Sequence, residues 1–189
     1  MKHSCVITTA AAVLLFAAGN VKAADPDAGA AAAYCEQNGG KVIDRVPVFN
    51  TNGPPSGWLV LAGIRRFCQF TSKTDGSRIH VLLQTLVTGK PTLAASAYYA
   101  KVAPGQGGGG NPASYYCTQL GGSDSFGGVT AAGGGWVGKH SVDTVLEACI
   151  FPDMSSIDSW GLTYNAAGII RGIDLTTVLR WAGPPPAAH

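Results

Sequence analysis

The sequence predicts an α+β protein of two tandem small domains. Each is a short N-terminal helix disulfide-linked to a small antiparallel β-sheet, followed by a closing helix. Three observations carry this prediction. Tyr34-Cys35-Glu36-Gln37-Asn38-Gly39-Gly40 recurs as Tyr116-Cys117-Thr118-Gln119-Leu120-Gly121-Gly122, with five of seven residues identical. A second cysteine follows each copy at nearly the same distance, as Cys68-Gln69-Phe70 and Cys149-Ile150-Phe151. Between the copies, Pro104-Gly105-Gln106 and the glycines of 107–110 form a flexible joint that cannot hold a regular element. An internal repeat takes precedence over shorter motifs when a fold is read. The chain therefore divides into a leader at 1–23, a first unit at 24–103, a linker at 104–110, a second unit at 111–183 and a proline-rich tail at 184–189.

The elements follow in order. In unit one a helix is expected over 30–37, stopped near Gly39-Gly40. A strand over 41–49 is interrupted by Pro47, which places it at a sheet edge. Strands over 58–62 and 64–70 lead through Cys68. Thr74-Asp75-Gly76-Ser77 then turns the chain into a third strand over 78–88. In unit two Asn111 offers an N-cap and Pro112 the first helical position, so a helix runs over 113–120 to the left-handed stop at Gly121-Gly122. Ala113, Tyr116 and Leu120 share one face, and Cys117 beside it is placed to tie the helix to a strand. Strands are expected at 136–137, 144–151 and 158–164, with a turn at 152–155. Trp58 and Trp136 fall at corresponding places. Segments 92–102 and 175–181 read as closing helices, and Gly183-Pro184-Pro185-Pro186 as an extended tail.

The 189 residues include 26 Gly and 11 Pro, with 46% hydrophobic and only 13% charged residues and a formal net charge of +2. That charged fraction is about half the usual roughly 25%, which excludes a polyelectrolyte-like disordered chain. The near-neutral balance gives no electrostatic reason for a nucleic-acid partner.

Met1-Lys2-His3, an apolar run from Cys5 to Ala18, and Val21-Lys22-Ala23 have the order of a secretory signal peptide cleaved after Ala23. The run is shorter than the ~20 residues of a spanning helix, so no stable membrane anchor is expected. Cys5 precedes the apolar stretch, where a lipidated cysteine would not lie. The remaining chain has zero formal charge and keeps Cys35, Cys68, Cys117 and Cys149. In the periplasm or outside the cell such an even set forms disulfides, although four cysteines allow three connectivities. The repeat selects one bridge per unit, Cys35 with Cys68 and Cys117 with Cys149. Each closes a loop of about 30 residues and contributes on the order of 3 kcal/mol, a large share for units with small cores. No Cys-x-x-Cys is present, and neither His80 nor His140 stands at a familiar ligand spacing from a cysteine. No metal or cofactor is expected.

Asn111-Pro112-Ala113-Ser114-Tyr115-Tyr116-Cys117, then Gly121-Gly122, then Cys149-Ile150-Phe151-Pro152-Asp153 and Trp160 together resemble the family called domain of unknown function 333. Its members are small exported bacterial proteins often labelled haemolysins. Unit two matches the family pattern over about 50 residues. Some members carry another cysteine shortly after Pro-Asp, where this chain has Ile157, and the insert between Gly122 and Cys149 is longer and richer in glycine. In unit one, residues 30–33 replace the Asn-Pro-Ala-Ser opening and Thr71-Ser72 replaces Pro-Asp, so it reads as a diverged copy. The resemblance implies an exported, disulfide-stabilised domain and brings no catalytic motif with it.

No residue pattern for catalysis stands out. His140-Ser141 with Asp143 can be drawn as a trio, but adjacent residues of an extended segment point to opposite faces. His80 is expected mid-strand in a structural role. The two remaining glutamates, Glu36 and Glu147, form no visible pair. Gly133-Gly134-Gly135 lacks the ending of a phosphate loop, and Gly121-Gly122-Ser123-Asp124-Ser125 lacks the Gly-x-Ser-x-Gly of a nucleophile elbow. No catalytic residues are therefore assigned. Trp136, set among glycines, is the expected surface anchor, whereas Trp160 and Trp181 read as core. Arg65 and Arg66 are candidates for contacting an anionic partner. The expectation is a non-enzymatic binding module for a protein or cell-envelope component, inhibitor-like by analogy. A haemolysin-like lytic protein is one alternative, although no long amphipathic helix is visible. A secreted hydrolase using an unrecognised site around His140, Ser141 and Asp143 is the other.

Overall fold

The computed structural model of the protein describes residues 26–105, 110–124, 133–138 and 145–184. The leader, part of the linker, the end of the tail and the trio His140, Ser141 and Asp143 lie outside the described residues.

The chain opens with α1 (Pro26–Gln37) and β1 (Lys41–Phe49), then a 3-10 turn (Pro55–Gly57), β2 (Leu59–Val60), β3 (Arg65–Thr71) and β4 (Arg78–Leu82). Next come α2 (Leu83–Val87) and α3 (Leu93–Ala100). The second half contains α4 (Pro112–Gln119), β5 (Gly134–Gly138), β6 (Val145–Leu146), β7 (Ala148–Ile150), β8 (Ser156–Asp158), α5 (Ser159–Ala166) and a 3-10 turn (Leu175–Thr177). This is the expected α+β class, with one helix disulfide-linked to an antiparallel strand in each half: Cys35 to Cys68 and Cys117 to Cys149.

Both bridges are built the same way. Asn111 caps α4 by accepting from the Ala113 and Ser114 amides. Gly39 and Gly121, at φ +81° and +83°, take the left-handed turn that ends each helix. A Cβ on the next residue, Gly40 or Gly122, would run into the sulfurs of the adjoining bridge. The repeated Gly-Gly is thus a stop followed by a clearance.

The strands do not form two separate sheets. β1 pairs with β5, and β4 pairs with β8, each across the boundary between the halves. The resulting order is β6-β5-β1-β3-β4-β8-β7. Its two ends, β6 and β7, are separated along the chain by Glu147 alone, so they form one bent stave and the sheet closes into a barrel. A three-stranded sheet in each half would leave unpaired edges, and closure removes them.

The halves meet in matching register. Arg45 faces Arg65, three residues before Cys68, and Trp136 faces Leu146, three residues before Cys149. Arg45 and Trp136 are therefore equivalent, and their neighbours Val46 and Val137 lie directly opposite each other in the first seam. In the second seam Val81 faces Ile157, each one residue before its strand's last residue. Unit two also keeps the first rung of the β1–β3 ladder: Ser123 bridges Ile150 as Lys41 pairs with Gln69. An approximate two-fold axis thus relates the halves through both seams. By this pairing Trp136 corresponds to Arg45 and not to Trp58, which sits in a loop where its Nε1 donates to the Gly53 carbonyl at 2.9 Å.

The period of two sorts the staves into inward and outward faces. Phe67, Leu82, Trp136, Leu146 and Ala148 form an inner core. Cys68, Phe70, Ile79, Val81, Cys149 and Ile157 face outward and are covered by the helices in a second, larger core.

Several elements differ from the sequence reading. The strands expected at 78–88 and 158–164 both become helical midway, as β4 into α2 and β8 into α5. The switch residues Leu82 and Asp158 have nearly the same backbone, φ −59°, ψ 135° and φ −61°, ψ 139°. Leu83 and Leu86, three apart, bury one side of α2, while Asp158 caps α5 by accepting from the Gly161 amide. β1 is not an edge strand. Its partner changes from β3 at Arg45 to β2 at Val48, and Pro47, lacking an N–H, falls in the gap between those ladders. The expected helix at 175–181 is only a 3-10 turn, because Leu175, Val178 and Leu179 bury themselves individually against the outer core.

A shared barrel cannot lose one half and keep the other. Urea unfolding is expected to give one transition, with far-UV circular dichroism and tryptophan fluorescence coinciding. Two separated transitions would mean that the halves fold as independent domains.

Candidate functional site

Three buried polar side chains cross the barrel interior. Arg45 of β1 is fully buried, and its Nη1 donates to the Trp136 carbonyl at 3.0 Å. Its Nη2 lies 3.2 Å from His80 Nε2, which is also 3.0 Å from Gln69 Oε1. On the other side of the ring, His80 Nδ1 stands 3.4 Å from Asp158 Oδ2, which accepts from the His80 amide at 2.8 Å. The chain Arg45–His80–Asp158 therefore joins strands on both sides of the two seams. Alternation puts Gln69, His80 and Asp158 on the same inner face as Phe67 and Leu82. Sequence reasoning gave His80 a structural place in a strand, and it is 3% exposed there. The roles of Arg45 and Asp158 were missed, since an isolated charged residue in a strand gives no sign of facing a barrel interior.

Two clefts flank the barrel at positions related by the approximate two-fold. Counted back from the second cysteine of each half, Ile64, Arg65 and Arg66 correspond to Val145, Leu146 and Glu147. Counted from the strand-to-helix switch, Leu82 and Gln84 correspond to Asp158 and Trp160, and Arg78 to Met154.

The larger cleft, about 560 Å³, is lined by Ala31, Ile64, Leu82, Leu83, Thr85 and Met154, among others, with Arg65 and Arg66 also on its wall. The smaller, about 230 Å³, holds Arg78, His80, Glu147, Asp158, Trp160 and Arg171 together with Val145 and Leu146. Leu82 and Met154 thus stand where Asp158 and Arg78 do, whereas Arg65 stands where Leu146 does.

Trp136 is 4% exposed, so it does not serve as the surface anchor expected from its glycine-rich surroundings. Those glycines make room for other groups: a Cβ on Gly135 would press on the Leu146 carbonyl. Trp136 packs its ring against Phe67 at 5.8 Å between centroids. Arg65 lies over the same ring, 5.6 Å from its centroid, and its Nη1 donates to the Met154 carbonyl at 3.3 Å. Arg66 is exposed and pairs with exposed Asp44 at 3.2 Å. The three predicted surface residues therefore divide: Trp136 inside, Arg65 as a half-buried cover above it, and Arg66 on the outside. Trp181 packs on the outer core as expected, with its ring edge against Tyr99 at 5.4 Å. Trp160 instead helps line the charged cleft.

Asp153 closes one side of the larger cleft. Burial pushes its carboxyl up, but hydrogen bonds from the Ser155 hydroxyl and from the Leu93 and Ser155 amides outweigh that and hold it below its ordinary 3.8. The Leu93 contact fastens the start of α3 to the turn at 152–155. Among the described residues no group of three or more His, Cys, Asp or Glu is placed to hold a metal ion. No helix among them is long and apolar enough to cross a membrane. The two disulfides fit a protein of an oxidising compartment. No protein-family model, no curated protein and no solved structure matches the chain.

Two outcomes follow from these contacts. Asp158→Ala removes the α5 cap and the buried carboxylate beside the His80 amide and ring. It is expected to lower the unfolding free energy by about 3–5 kcal/mol in urea titration; a loss below about 1 kcal/mol would contradict the structural weight given to this group. A depressed carboxyl stabilises the fold fully above its unfolded pKa and loses that contribution as pH falls through the lower folded value. Asp153→Asn is therefore expected to be less stable than the parent at neutral pH, with the gap closing as pH falls below 3.8, read from thermal midpoints across an acid series.

Proposed function

We propose that the protein is an exported, non-enzymatic binding module that seats an apolar side chain of a protein partner in the larger cleft. The observation that carries this reading is the apolar surface left open there. Ile64 is 65% exposed and Met154 53%. Ile64, Arg65 and Met154 also border a second hollow of about 400 Å³, formed with Pro47, Leu61 and Trp136, so the two depressions share one apolar ridge. Contiguous exposed apolar surface bordered by polar residues marks interaction sites more often than chance, and pocketed apolar anchors dominate interface energies. Arg65 and Arg66 on the same wall favour a carboxylate next to the partner's anchor residue.

This reading retains the binding-module expectation and moves its centre from Trp136 to the ridge. An envelope protein is the partner class that suits an exported chain, and an inhibitor of an envelope hydrolase is one form it takes. The cleft is built on strands and helix ends pinned by Cys35–Cys68 and by the Asp153 contacts, so it is preformed, which lowers the ordering cost of binding.

A displayed peptide library panned on the full chain tests the proposal. Enriched peptides are expected to combine a large apolar residue with a nearby acidic one, and Ile64→Glu is expected to weaken them about tenfold or more while leaving the thermal midpoint nearly unchanged. Peptides that bind Ile64→Glu and Met154→Glu as well as the parent would overturn it.

A further inference from the structure

Met154 is the only methionine in the chain besides Met1. Among the described residues the four cysteines are paired in bridges, so Met154 carries the one sulfur left there for oxidation. Its side chain adds little to the core, being 53% exposed. Its backbone takes φ +64°, a left-handed turn conformation that glycine adopts freely and a long side chain does not. A thioether kept on the surface at such a position has a use other than burial.

The turn that carries it is closed. The Met154 amide donates to the Phe151 carbonyl at 2.8 Å, and the Phe151 amide donates to the Ser155 carbonyl at 3.0 Å. Asp153 ties the same turn to the start of α3 by accepting from the Leu93 amide. The thioether therefore stays on the ridge between the larger cleft and the second hollow, and lines both. Arg65 reaches it from β3. Nη1 donates to the Met154 carbonyl at 3.3 Å, and Nη2 stands 4.0 Å from Sδ. A thioether is a weak acceptor, and the contact is correspondingly long. An oxygen added to that sulfur is a far better acceptor, and in one of the two sulfoxide epimers it points toward the guanidinium.

We infer that Met154 is a reversible oxidation site that switches the ridge from apolar to polar. The sulfur lone pair attacks one oxygen of hydrogen peroxide or a related peroxide. The S–O bond forms as the O–O bond breaks, and sulfur gives up two electrons. The proton on the transferred oxygen passes to the departing hydroxide, which leaves as water. Two changes follow at the cleft. A polar, chiral sulfoxide replaces a flexible apolar wall, and Arg65 turns Nη2 to the new oxygen instead of to a partner's carboxylate. The effect on partner binding rests on the docking reading above, whereas the oxidation and the Arg65 contact do not.

Peroxide treatment of the isotope-labelled full chain, followed by peptide mapping and NMR, tests the inference. Met154 is expected to gain one oxygen at a rate within about tenfold of free methionine. The Arg65 Nε signal is expected to move with it, and methionine sulfoxide reductases to reverse both changes. The oxidised chain should hold the peptides selected on the parent about tenfold more weakly, with its thermal midpoint nearly unchanged. Met154→Leu should bind those peptides equally before and after treatment. Resistance of Met154 to peroxide in the folded chain, an unmoved Arg65 signal, or an oxidised form that binds peptides like the parent would each overturn the inference. Failure of the untreated parent to select any peptide sinks the docking reading alone, and the mapped oxidation with the Arg65 shift still decides this site.

Discussion

A guanidinium with no exposed surface is the constraint on which the barrel rests. Arg45 is too large and too costly to desolvate to occupy an interior unless its surroundings answer it. The answers come from different strands: a carbonyl on β5, a ring on β4, and through that ring a carboxylate on β8. Opening either seam would break one of these contacts. The staves thus have a reason to close in this register beyond the hydrogen bonds of the ladders, because a one-residue slip would turn Arg45, His80 and Asp158 to the wrong face.

The same chain of contacts explains how two short, similar halves make one stable object. Each half has a helix stapled to a strand, and each strand set taken alone has an exposed edge and an unfilled inner face. The approximate two-fold lays Val46 against Val137 and Val81 against Ile157, so the exposed edge of one half becomes the partner of the other. Arg45 and Trp136 then meet at one seam as equivalent residues with different tasks, one donating from its side chain and the other accepting through its backbone. The duplication is visible in the seams, where equivalence is geometrically required, and it fades inside the barrel, where the two large side chains have to fit around each other.

The repeat, the cysteine pairing, the α4 cap and the extent of β1 were legible because each is local: a capping asparagine, a glycine stop, a run of β-formers, two cysteines in matching contexts. Barrel closure was not legible, because β1–β5 and β4–β8 pairing depends on contacts far apart in the chain. The strand-to-helix switches at Leu82 and Asp158 were obscured for a related reason. Leu83 and Leu86 read equally well as strand residues until the outer core shows which side they bury, and Asp158 reads as a strand start until its carboxylate is seen capping Gly161. In the sequence the glycines flanking Trp136 suggest a lack of packing. At Gly135 the glycine instead lets the Leu146 backbone come close, so the glycines are part of the packing around Trp136. Trp160, His80 and Glu147 stand out in the sequence singly, but their convergence on the smaller cleft does not, since its arginines come from β4 and from a loop after α5.

Conflicting demands on equivalent residues also account for where the two halves diverge in chemistry. Seam residues have to satisfy a partner that is their own counterpart, and the Gly-Gly pairs have to clear a disulfide, so these positions stay alike. The residues at the cleft walls face solvent on one side and answer to no counterpart. Position by position, Met154 stands where Arg78 does, Gln84 where Trp160 does, and Leu82 where Asp158 does. One consequence reaches back into the core: Asp158 serves the cleft wall, the α5 cap and the His80 ring together, whereas Leu82 serves only packing. The charged cleft is therefore tied to the buried Arg45–His80–Asp158 chain, and the apolar cleft is free of it. A change in the charged cleft's chemistry at Asp158 has to pass through barrel stability, while the apolar ridge at Ile64 and Met154 can vary without disturbing what holds the barrel closed.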